Sequence, residues 1–267
     1  MNTNTATPAE GRVRHELLDA GKISAIELDR PAKRNAMSLE MSTALRDQLL
    51  RADIDDSHVV LLRSAVPGIF CAGLDISYLG THRVEEAEAA MMSCCTTLQA
   101  MRKVTIAYAD GSVFGGGCEL FLSADLRLAT PDARFRITPA VLGVVYPFRG
   151  LARLIRYTGI TAAMEMILTA RVIDAQEAMR IGLVTRVVAD TAQAEDYSRE
   201  TANLAPLAQQ AMKAAMKLMA DRIAALEATE AQWHALQAMQ AAVDGSEDQR
   251  EGRAAFREKR SPNFRGR

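Results

Sequence analysis

The segment FGGGCEL, from Phe114 to Leu120, contains three consecutive glycines and one carboxylate, Glu119, which follows the second glycine by three positions. Glycine permits the sharp bend that joins a strand to a helix, because no side chain obstructs it. A helix N-terminus carries unpaired N–H groups and the positive end of the helix dipole. If Gly116 opens the helix, its N–H can bind a ligand oxygen, and Glu119 lies three residues on, on the same helical face.

A second glycine bend, FCAGLD, follows another apolar run, and Gly73 gives it the same freedom. The N–H of Leu74 is the candidate second donor. Two N–H groups that converge on one carbonyl oxygen form an oxyanion hole, in which the loss of one donor typically costs about 3 kcal/mol. A glycine run by itself is more often only a turn. The sequence also lacks a GxxxxGK[ST] phosphate-binding pattern and a GxGxxG pattern in the right context.

Each glycine bend would follow a strand. Four apolar or alternating runs in the sequence are typical of strands. The four runs are Lys22–Leu28, His58–Ala65, Lys103–Gly111 and Leu126–Thr130. Helical spacing follows Ser38, a candidate N-cap, and recurs from Arg83 to Met101. Strands separated by helices predict an α/β fold with crossover connections.

Further along the chain, Asp174 is a candidate cap for a short helix, with Glu177 reaching back from three positions on. Gly182 can end that helix, and a strand over 183–188 can follow it. After Pro206 the chain is rich in Ala, Met, Leu and Gln, which favour helix. We therefore predict a core over residues 1–205 and a helical region over 206–267. That region could cap the core, mediate oligomerisation or simply pack as core.

Composition narrows the classes of function. The chain has 267 residues and a net charge of -1, which argues against a general nucleic-acid binder. Its four cysteines form no CxxC pair and histidine is scarce, so we expect no metal site and no disulfide framework. The N-terminal stretch does not resemble a secretion signal, and no apolar run approaches the roughly 18 residues of a membrane span. We expect a cytoplasmic protein with no membrane contact.

The C-terminal tail, FREKRSPNFRGR, carries five basic residues and one acid. A solvated terminus explains this composition, and so does a contact with an anionic group such as a phosphate. The basic residues are Arg257, Lys259, Arg260, Arg265 and Arg267.

Four segments together resemble the enoyl-CoA hydratase/isomerase (crotonase) family. They are ELDRPAKRNAMS, FCAGLDI, ADGSVFGGGCELFLSADLRLAT and IDAQEAMRIGLVTRVV, and they occur in this order over roughly residues 20 to 190. The resemblance implies a spiral of ββα units with a C-terminal helical region, assembled as a homotrimer or homohexamer. It also implies an acyl-CoA thioester substrate whose carbonyl oxygen is bound by the N–H groups of Leu74 and Gly116. Coenzyme A would be part of the substrate, so no separate cofactor is expected.

By the same resemblance, five residues would line the nucleotide end of the substrate. They are Lys33, Ala36, Ala72, Asp75 and Ile76. A solvated turn is the plain alternative for Lys33 and Arg34. The large CoA group could supply binding energy that places the acyl group for reaction.

The sequence departs from the family pattern at one catalytic position. Hydratases of the family generally use two glutamates around one water; the first matches Glu119, but the second matches Ala140, which cannot transfer protons. Tyr146 and its surroundings are similar to the methylmalonyl-CoA decarboxylase branch, although that branch has a histidine at the position of Leu74. We therefore predict an enzyme of the hydratase/isomerase class. A decarboxylase-like lyase and a catalytically silent acyl-CoA-binding protein remain alternatives.

Overall fold

The computed structural model describes residues 11–78, 81, 83–223, 234, 237–238, 241, 243–244 and 246–265. Ten strands run through this part of the chain: β1 Arg12–Leu18, β2 Ile23–Asp29, β3 Val59–Ser64, β4 Ile69–Cys71, β5 Val104–Ala109, β6 Ser112–Phe114, β7 Leu126–Ala129, β8 Arg134–Arg136, β9 Ile173–Asp174 and β10 Arg186–Val187. The longer helices are α1 Leu39–Ile54, α2 Val84–Ala100, α3 Gly116–Leu122, α4 Pro139–Leu142, α5 Phe148–Thr169, α6 Ala175–Arg180, α7 Thr191–Ala202, α8 Pro206–Ile223 and α9 Glu247–Glu258.

The larger sheet has six strands in the order β1-β2-β3-β5-β7-β10. β1 pairs antiparallel with β2, and the remaining neighbours pair in parallel. Parallel strands need apolar residues on both faces, and the run VVLLR of β3 is buried throughout. Leu61 pairs with Ile106 in the centre of this sheet, and both belong to one apolar cluster. The predicted α/β fold with crossover connections is confirmed.

The smaller sheet has four short strands in the order β4-β6-β8-β9. Each of its first three strands follows a strand of the larger sheet and precedes a helix, which gives the units β3-β4-α2, β5-β6-α3 and β7-β8-α4. The chain therefore repeats a ββα unit, as expected from the resemblance. The strands β4, β6 and β8 have only three residues each, too few for a sequence pattern to reveal them.

The described residues form two compact units. The first comprises the described parts of residues 1–136 and 172–216, and the second those of 137–171 and 217–267. Within the second unit α4 lies against α9, where a Cβ on Gly252 would lie 2.5 Å from the Leu142 carbonyl carbon. The predicted division was a core over residues 1–205 and a helical oligomerisation region over 206–267. It stays a prediction.

Local capping agrees with the sequence at both predicted helix starts. The Ser38 side chain accepts a hydrogen bond from the Met41 N–H at the start of α1. The Asp174 side chain accepts one from the Glu177 N–H at the start of α6. Gly182, with a φ of 84°, lies just beyond the end of α6. Within the described residues no helix is both long and apolar enough to cross a membrane. The cytoplasmic location stays a prediction.

The backbone crossing between α3 and β4 leaves no room for a side chain at Gly117. A Cβ there would lie 2.2 Å from the Cys71 backbone oxygen, and strand β4 would have to move. Helix propensity alone would make Gly117→Ala stabilising by about 1 kcal/mol. We expect the opposite sign, a loss of about 2 kcal/mol in the free energy of unfolding, because of this overlap. Urea denaturation measures the difference.

Gly21→Ala is the control, because no atom lies within 4 Å of its added Cβ and the only cost is its left-handed φ of 90°. That cost is about 1 kcal/mol. A Gly117→Ala protein as stable as its parent would contradict the close approach.

Candidate active site

The bend after β4 fixes the direction of the Leu74 N–H. The Met37 N–H donates a hydrogen bond of 2.7 Å to the Gly73 carbonyl oxygen, and the Asp75 N–H donates one of 3.0 Å to the Met37 carbonyl. The peptide between Gly73 and Leu74 is trans, so its C=O and N–H point in opposite directions. The Leu74 N–H therefore points away from Met37. Gly73 has a φ of 97°, which only glycine adopts at little cost.

The bend after β6 fixes the Gly116 N–H in a similar way. Gly115 forms the N-cap of α3. Its backbone angles, φ 52° and ψ −122°, are ones that glycine adopts far more easily than other residues. The Cys118 N–H donates to the Gly115 carbonyl oxygen at 3.0 Å. Because that carbonyl points into the helix, the N–H of Gly116 on the same peptide points out of its N-terminal end.

The pairing of β4 with β6 brings the two bends together. Cys71 pairs with Val113 in parallel, after an irregularity that shifts the register between Ile69 and Cys71. A Cβ on Gly73 would lie only 2.7 Å from the Gly116 nitrogen. In the part of the chain that the structure describes, neither the Leu74 N–H nor the Gly116 N–H donates to a backbone carbonyl. Two N–H groups that could bind a ligand oxygen thus lie on adjacent segments.

Glu119 lies in the first turn of α3 and is buried, with 2% of its surface exposed. Its backbone carbonyl accepts a hydrogen bond of 2.8 Å from the Ser123 hydroxyl. A carboxylate in this turn is stabilised by the helix dipole. The sequence placed Glu119 and Gly116 on one short helix, and the structure has both there.

The loop that follows β2 packs against the loop that follows β4. The Ala72 N–H donates to the Arg34 carbonyl oxygen at 3.1 Å, and the Cys71 thiol donates to the Asn35 carbonyl oxygen at 3.2 Å. Asn35 itself is buried, and its side-chain amide donates to the Phe70 carbonyl oxygen at 3.0 Å. These bonds hold the two loops as one layer beneath the bends.

The residues predicted to line the nucleotide end lie in this layer, but their exposure differs. Lys33 and Ile76 are exposed, Ala72 is half-buried and Ala36 is buried. The carboxylate of Asp75 is buried and forms a 2.8 Å ion pair with Arg30. Burial opposes its ionisation, but hydrogen bonds from Ser77 and Arg30 outweigh that effect and hold the pKa of Asp75 below its ordinary value.

Two residues near the bends, Arg30 and Met91, were not predicted from the sequence. Arg30 lies in the segment ELDRPAKRNAMS, so the family resemblance could have indicated it. Met91, on α2, had no signal beyond helical spacing. A Cβ on Gly116 would lie 2.5 Å from the Met91 methyl carbon, so this side chain packs directly against the Gly116 backbone.

Tyr146 and Ala140 belong to the second compact unit. Tyr146 is buried in the segment between α4 and α5, and Ala140 is exposed on α4. Their relation to a catalytic centre stays a prediction.

The basic tail makes contacts within the same unit. Arg260 donates to both carboxylate oxygens of Glu251, at 2.6 and 2.9 Å, and this contact lowers the pKa of Glu251 to about 2. The Arg265 N–H donates to the Asp248 carboxylate. Arg257 and Lys259 lie at the end of α9, whereas Arg267 lies outside the described residues. The predicted contact with an anionic group stays a prediction.

The four cysteines are buried and form no disulfide bond. Burial raises the pKa of Cys71, Cys94 and Cys118 to about 12, so these thiols are neutral at physiological pH. A neutral buried thiol is a poor nucleophile and a poor metal ligand. Among the described residues, no group of three or more His, Cys, Asp or Glu side chains could hold a metal ion.

Comparisons with known proteins identify the family. The family model for enoyl-CoA hydratase/isomerase matches residues 19–267. A probable enoyl-CoA hydratase of Mycobacterium leprae is 34% identical over 91% of this chain and 94% of its own length. Methylmalonyl-CoA decarboxylase of Escherichia coli is 32% identical over 92% of this chain and 95% of its own length.

Among solved structures, methylmalonyl-CoA decarboxylase complexed with 2S-carboxypropyl-CoA superimposes with a TM-score of 0.88. It is 30% identical and covers 96% of this chain and 98% of its own. The match extends over nearly the whole chain in sequence and in fold, and it includes both glycine bends. The chain therefore belongs to the enoyl-CoA hydratase/isomerase family and has the crotonase fold.

Proposed function

We propose that this protein is an enzyme that binds an acyl-CoA thioester and stabilises its enolate with the N–H groups of Leu74 and Gly116. The observation that carries the proposal is the contact between the two bends, in which the Gly116 nitrogen approaches Gly73. Peptide geometry directs both N–H groups away from their own secondary structure. An acyl-CoA substrate is in keeping with the relatives, one of which was solved with a CoA thioester analogue.

The chemistry follows from the thioester. Its carbonyl acidifies the neighbouring carbon, and loss of a proton there moves negative charge onto the carbonyl oxygen. Two fixed N–H donors stabilise that charge more than they stabilise the neutral substrate. Glu119 is proposed to give or take the proton, because its buried carboxylate lies on the helix that begins with Gly116.

The nucleotide end of the substrate is proposed to lie along Lys33, Ala36, Ala72 and Ile76, with the backbone of Asp75. Lys33 is exposed, and its ammonium group is proposed to bind a phosphate. No cofactor is proposed beyond the coenzyme A that the substrate itself carries.

Within the family we propose a reaction of the hydratase/isomerase class. One carboxylate can move a proton between two carbons, which suits a double-bond shift. Addition of water ordinarily uses two acids, and the second would fall at Ala140. An isomerisation therefore needs less from the residues present than a hydration does.

A specific observation favours a second candidate, the decarboxylation of a malonyl-type thioester. Two complexes of methylmalonyl-CoA decarboxylase superimpose on the chain with TM-scores of 0.87 and 0.88. In this reaction the C–C bond to the carboxylate breaks, carbon dioxide leaves, and the electron pair forms the enolate, which then takes up a proton. The reaction needs the oxyanion donors but no base, and Tyr146 would orient the carboxylate or protonate the enolate.

Substitution Glu119→Gln tests the proposed acid and base. We expect kcat to fall by about 10² or more with crotonyl-CoA or a 3-enoyl-CoA, because Gln cannot exchange the proton. Binding of the CoA thioester, measured by calorimetry, should change little, since the shape is kept. Decarboxylation of methylmalonyl-CoA would lose less, because that step needs no base.

Glu86→Gln, at an exposed acid on α2, is the matched control and should keep parental rates. Equal turnover in Glu119→Gln and the parent would remove Glu119 from the mechanism. Binding of all three thioesters without any product from the parent would instead support a silent acyl-CoA-binding protein.

Substitution Ala140→Glu tests whether the missing acid limits hydration. We expect hydration of crotonyl-CoA to rise by about tenfold or more, since a second positioned acid typically contributes at least that much. The loss of ultraviolet absorbance of the conjugated thioester follows the reaction. Ala140→Gln should show no gain. An unchanged rate in Ala140→Glu would mean that residue 140 does not face the substrate.

We also propose assembly into a homotrimer or homohexamer. On α5, Ile160, Met164 and Leu168 recur every four residues and are exposed in the single chain. A second copy could cover such a stripe. Light scattering should give the mass of three or six chains. Ile160→Lys combined with Met164→Lys should lower that mass, and a monomeric parent would contradict the proposal.

A further inference from the structure

The guanidinium of Arg30 joins the two loops that carry the Leu74 bend. Its Nη1 donates to the Ala36 carbonyl oxygen at 2.7 Å and to the Asp75 carboxylate at 2.8 Å. The other oxygen of that carboxylate accepts a hydrogen bond of 3.0 Å from the Ser77 N–H. Both side chains are buried, with 8% and 5% of their surfaces exposed. These contacts bind the chain to itself and leave the Asp75 carboxylate little access to solvent.

The position of this ion pair matters because it spans the hydrogen bonds that orient Leu74. Ala36 immediately precedes Met37, and Asp75 immediately follows Leu74. Met37 makes both backbone hydrogen bonds to the 73–75 segment. One nitrogen of Arg30 therefore holds the two segments on either side of the bond that fixes the Gly73–Leu74 peptide.

We infer that Arg30 and Asp75 form a positioning pair, the Arg30 bridge, that holds the Leu74 N–H in line with the substrate oxygen. The inference rests on the proposed role of Leu74 as an oxyanion donor. Asp75 then serves the reaction through the backbone, and its side chain does not contact coenzyme A.

The energetics favour a positioning role over a purely stabilising one. A buried ion pair gains little net stability, because removing both charges from water offsets most of their attraction. In this loop a shifted backbone would leave a buried charge without a partner, which is strongly unfavourable, so we expect the pair to favour one backbone arrangement. Catalysis is sensitive to such shifts, and a misplacement of about 1 Å can cost about 10²-fold in rate.

The chain offers a matched control pair. Lys103 is buried and forms a 2.6 Å ion pair with Asp55, and its ammonium group also donates to the Ala52 carbonyl oxygen at 2.7 Å. It thus resembles Arg30 in burial and partners. Lys103 precedes β5, however, whereas the Gly115–Gly116 bend follows the far end of the next strand, β6.

The direct test measures the thioester carbonyl of bound substrate. Butyryl-CoA, isotopically labelled at the thioester carbonyl, is bound to the full-length protein, and infrared difference spectroscopy records its stretching frequency. Two N–H donors should shift this frequency downward in the parent. We expect Arg30→Met and Asp75→Asn to lose at least half of the shift while binding the thioester with affinity within about threefold of the parent. Lys103→Met should keep the full shift.

Kinetics with whichever thioester the parent turns over supply the second readout. We expect kcat to fall by about 10²-fold in each single variant and KM to change little. The double variant Arg30→Met/Asp75→Asn should lose no more than the worse single variant, because the two residues act as one unit. Arg30→Lys keeps a cation and should recover part of the rate. If Arg30→Met does not fold, Arg30→Lys and Asp75→Asn carry the test.

The outcomes separate the inference from its premise. A parent protein that binds butyryl-CoA without any carbonyl shift overturns the proposed oxyanion hole, and the Arg30 bridge with it. A shift in the parent that persists unchanged in Arg30→Met and Asp75→Asn overturns the bridge alone. Loss of CoA affinity in Asp75→Asn, with the carbonyl shift retained, would show that Asp75 contacts the substrate and would likewise overturn the bridge.

Discussion

The hydrogen bond from the Met37 N–H to the Gly73 carbonyl oxygen is the constraint on which the proposed site depends. A trans peptide is rigid, so fixing one of its ends fixes the other. Holding the Gly73 carbonyl therefore directs the Leu74 N–H without any contact to Leu74 itself. The bond joins segments that are more than thirty residues apart, and these segments follow β2 and β3, which are parallel neighbours in the larger sheet. The direction of one N–H thus depends on the order of strands.

The smaller sheet supplies the other half of the geometry. Strands β4 and β6 have three residues each, yet their parallel register places the two bends side by side. Helix α3 also crosses β4 so closely that a Cβ on Gly117 would lie 2.2 Å from the Cys71 carbonyl oxygen. The glycines of the two bends therefore differ in purpose. Gly73 and Gly115 provide unusual backbone angles, and Gly117 provides space.

A buried ion pair supports the backbone geometry of the Leu74 bend. The ionised carboxylate of Asp75 and the guanidinium of Arg30 are both buried, and each is the other's charged partner. Desolvation makes such a pair an inefficient source of stability, whereas a shifted loop would leave one of the two buried charges without its partner. The Cys71 thiol, which donates to the Asn35 carbonyl oxygen in the same layer, is buried and neutral because burial raises its pKa to about 12.

The sequence by itself determined the α/β class, the two glycine bends, the caps at Ser38 and Asp174, and the family, because each depends on residues close together in the chain. It did not reveal β1, nor the short strands of the smaller sheet, whose two or three residues carry too little pattern to indicate a strand. Only the tertiary structure showed that Asp75 faces Arg30 and that the Gly73 bend lies against the Gly116 nitrogen. Both relations join segments distant in the chain, and they arise from strand register and burial, which local composition does not encode.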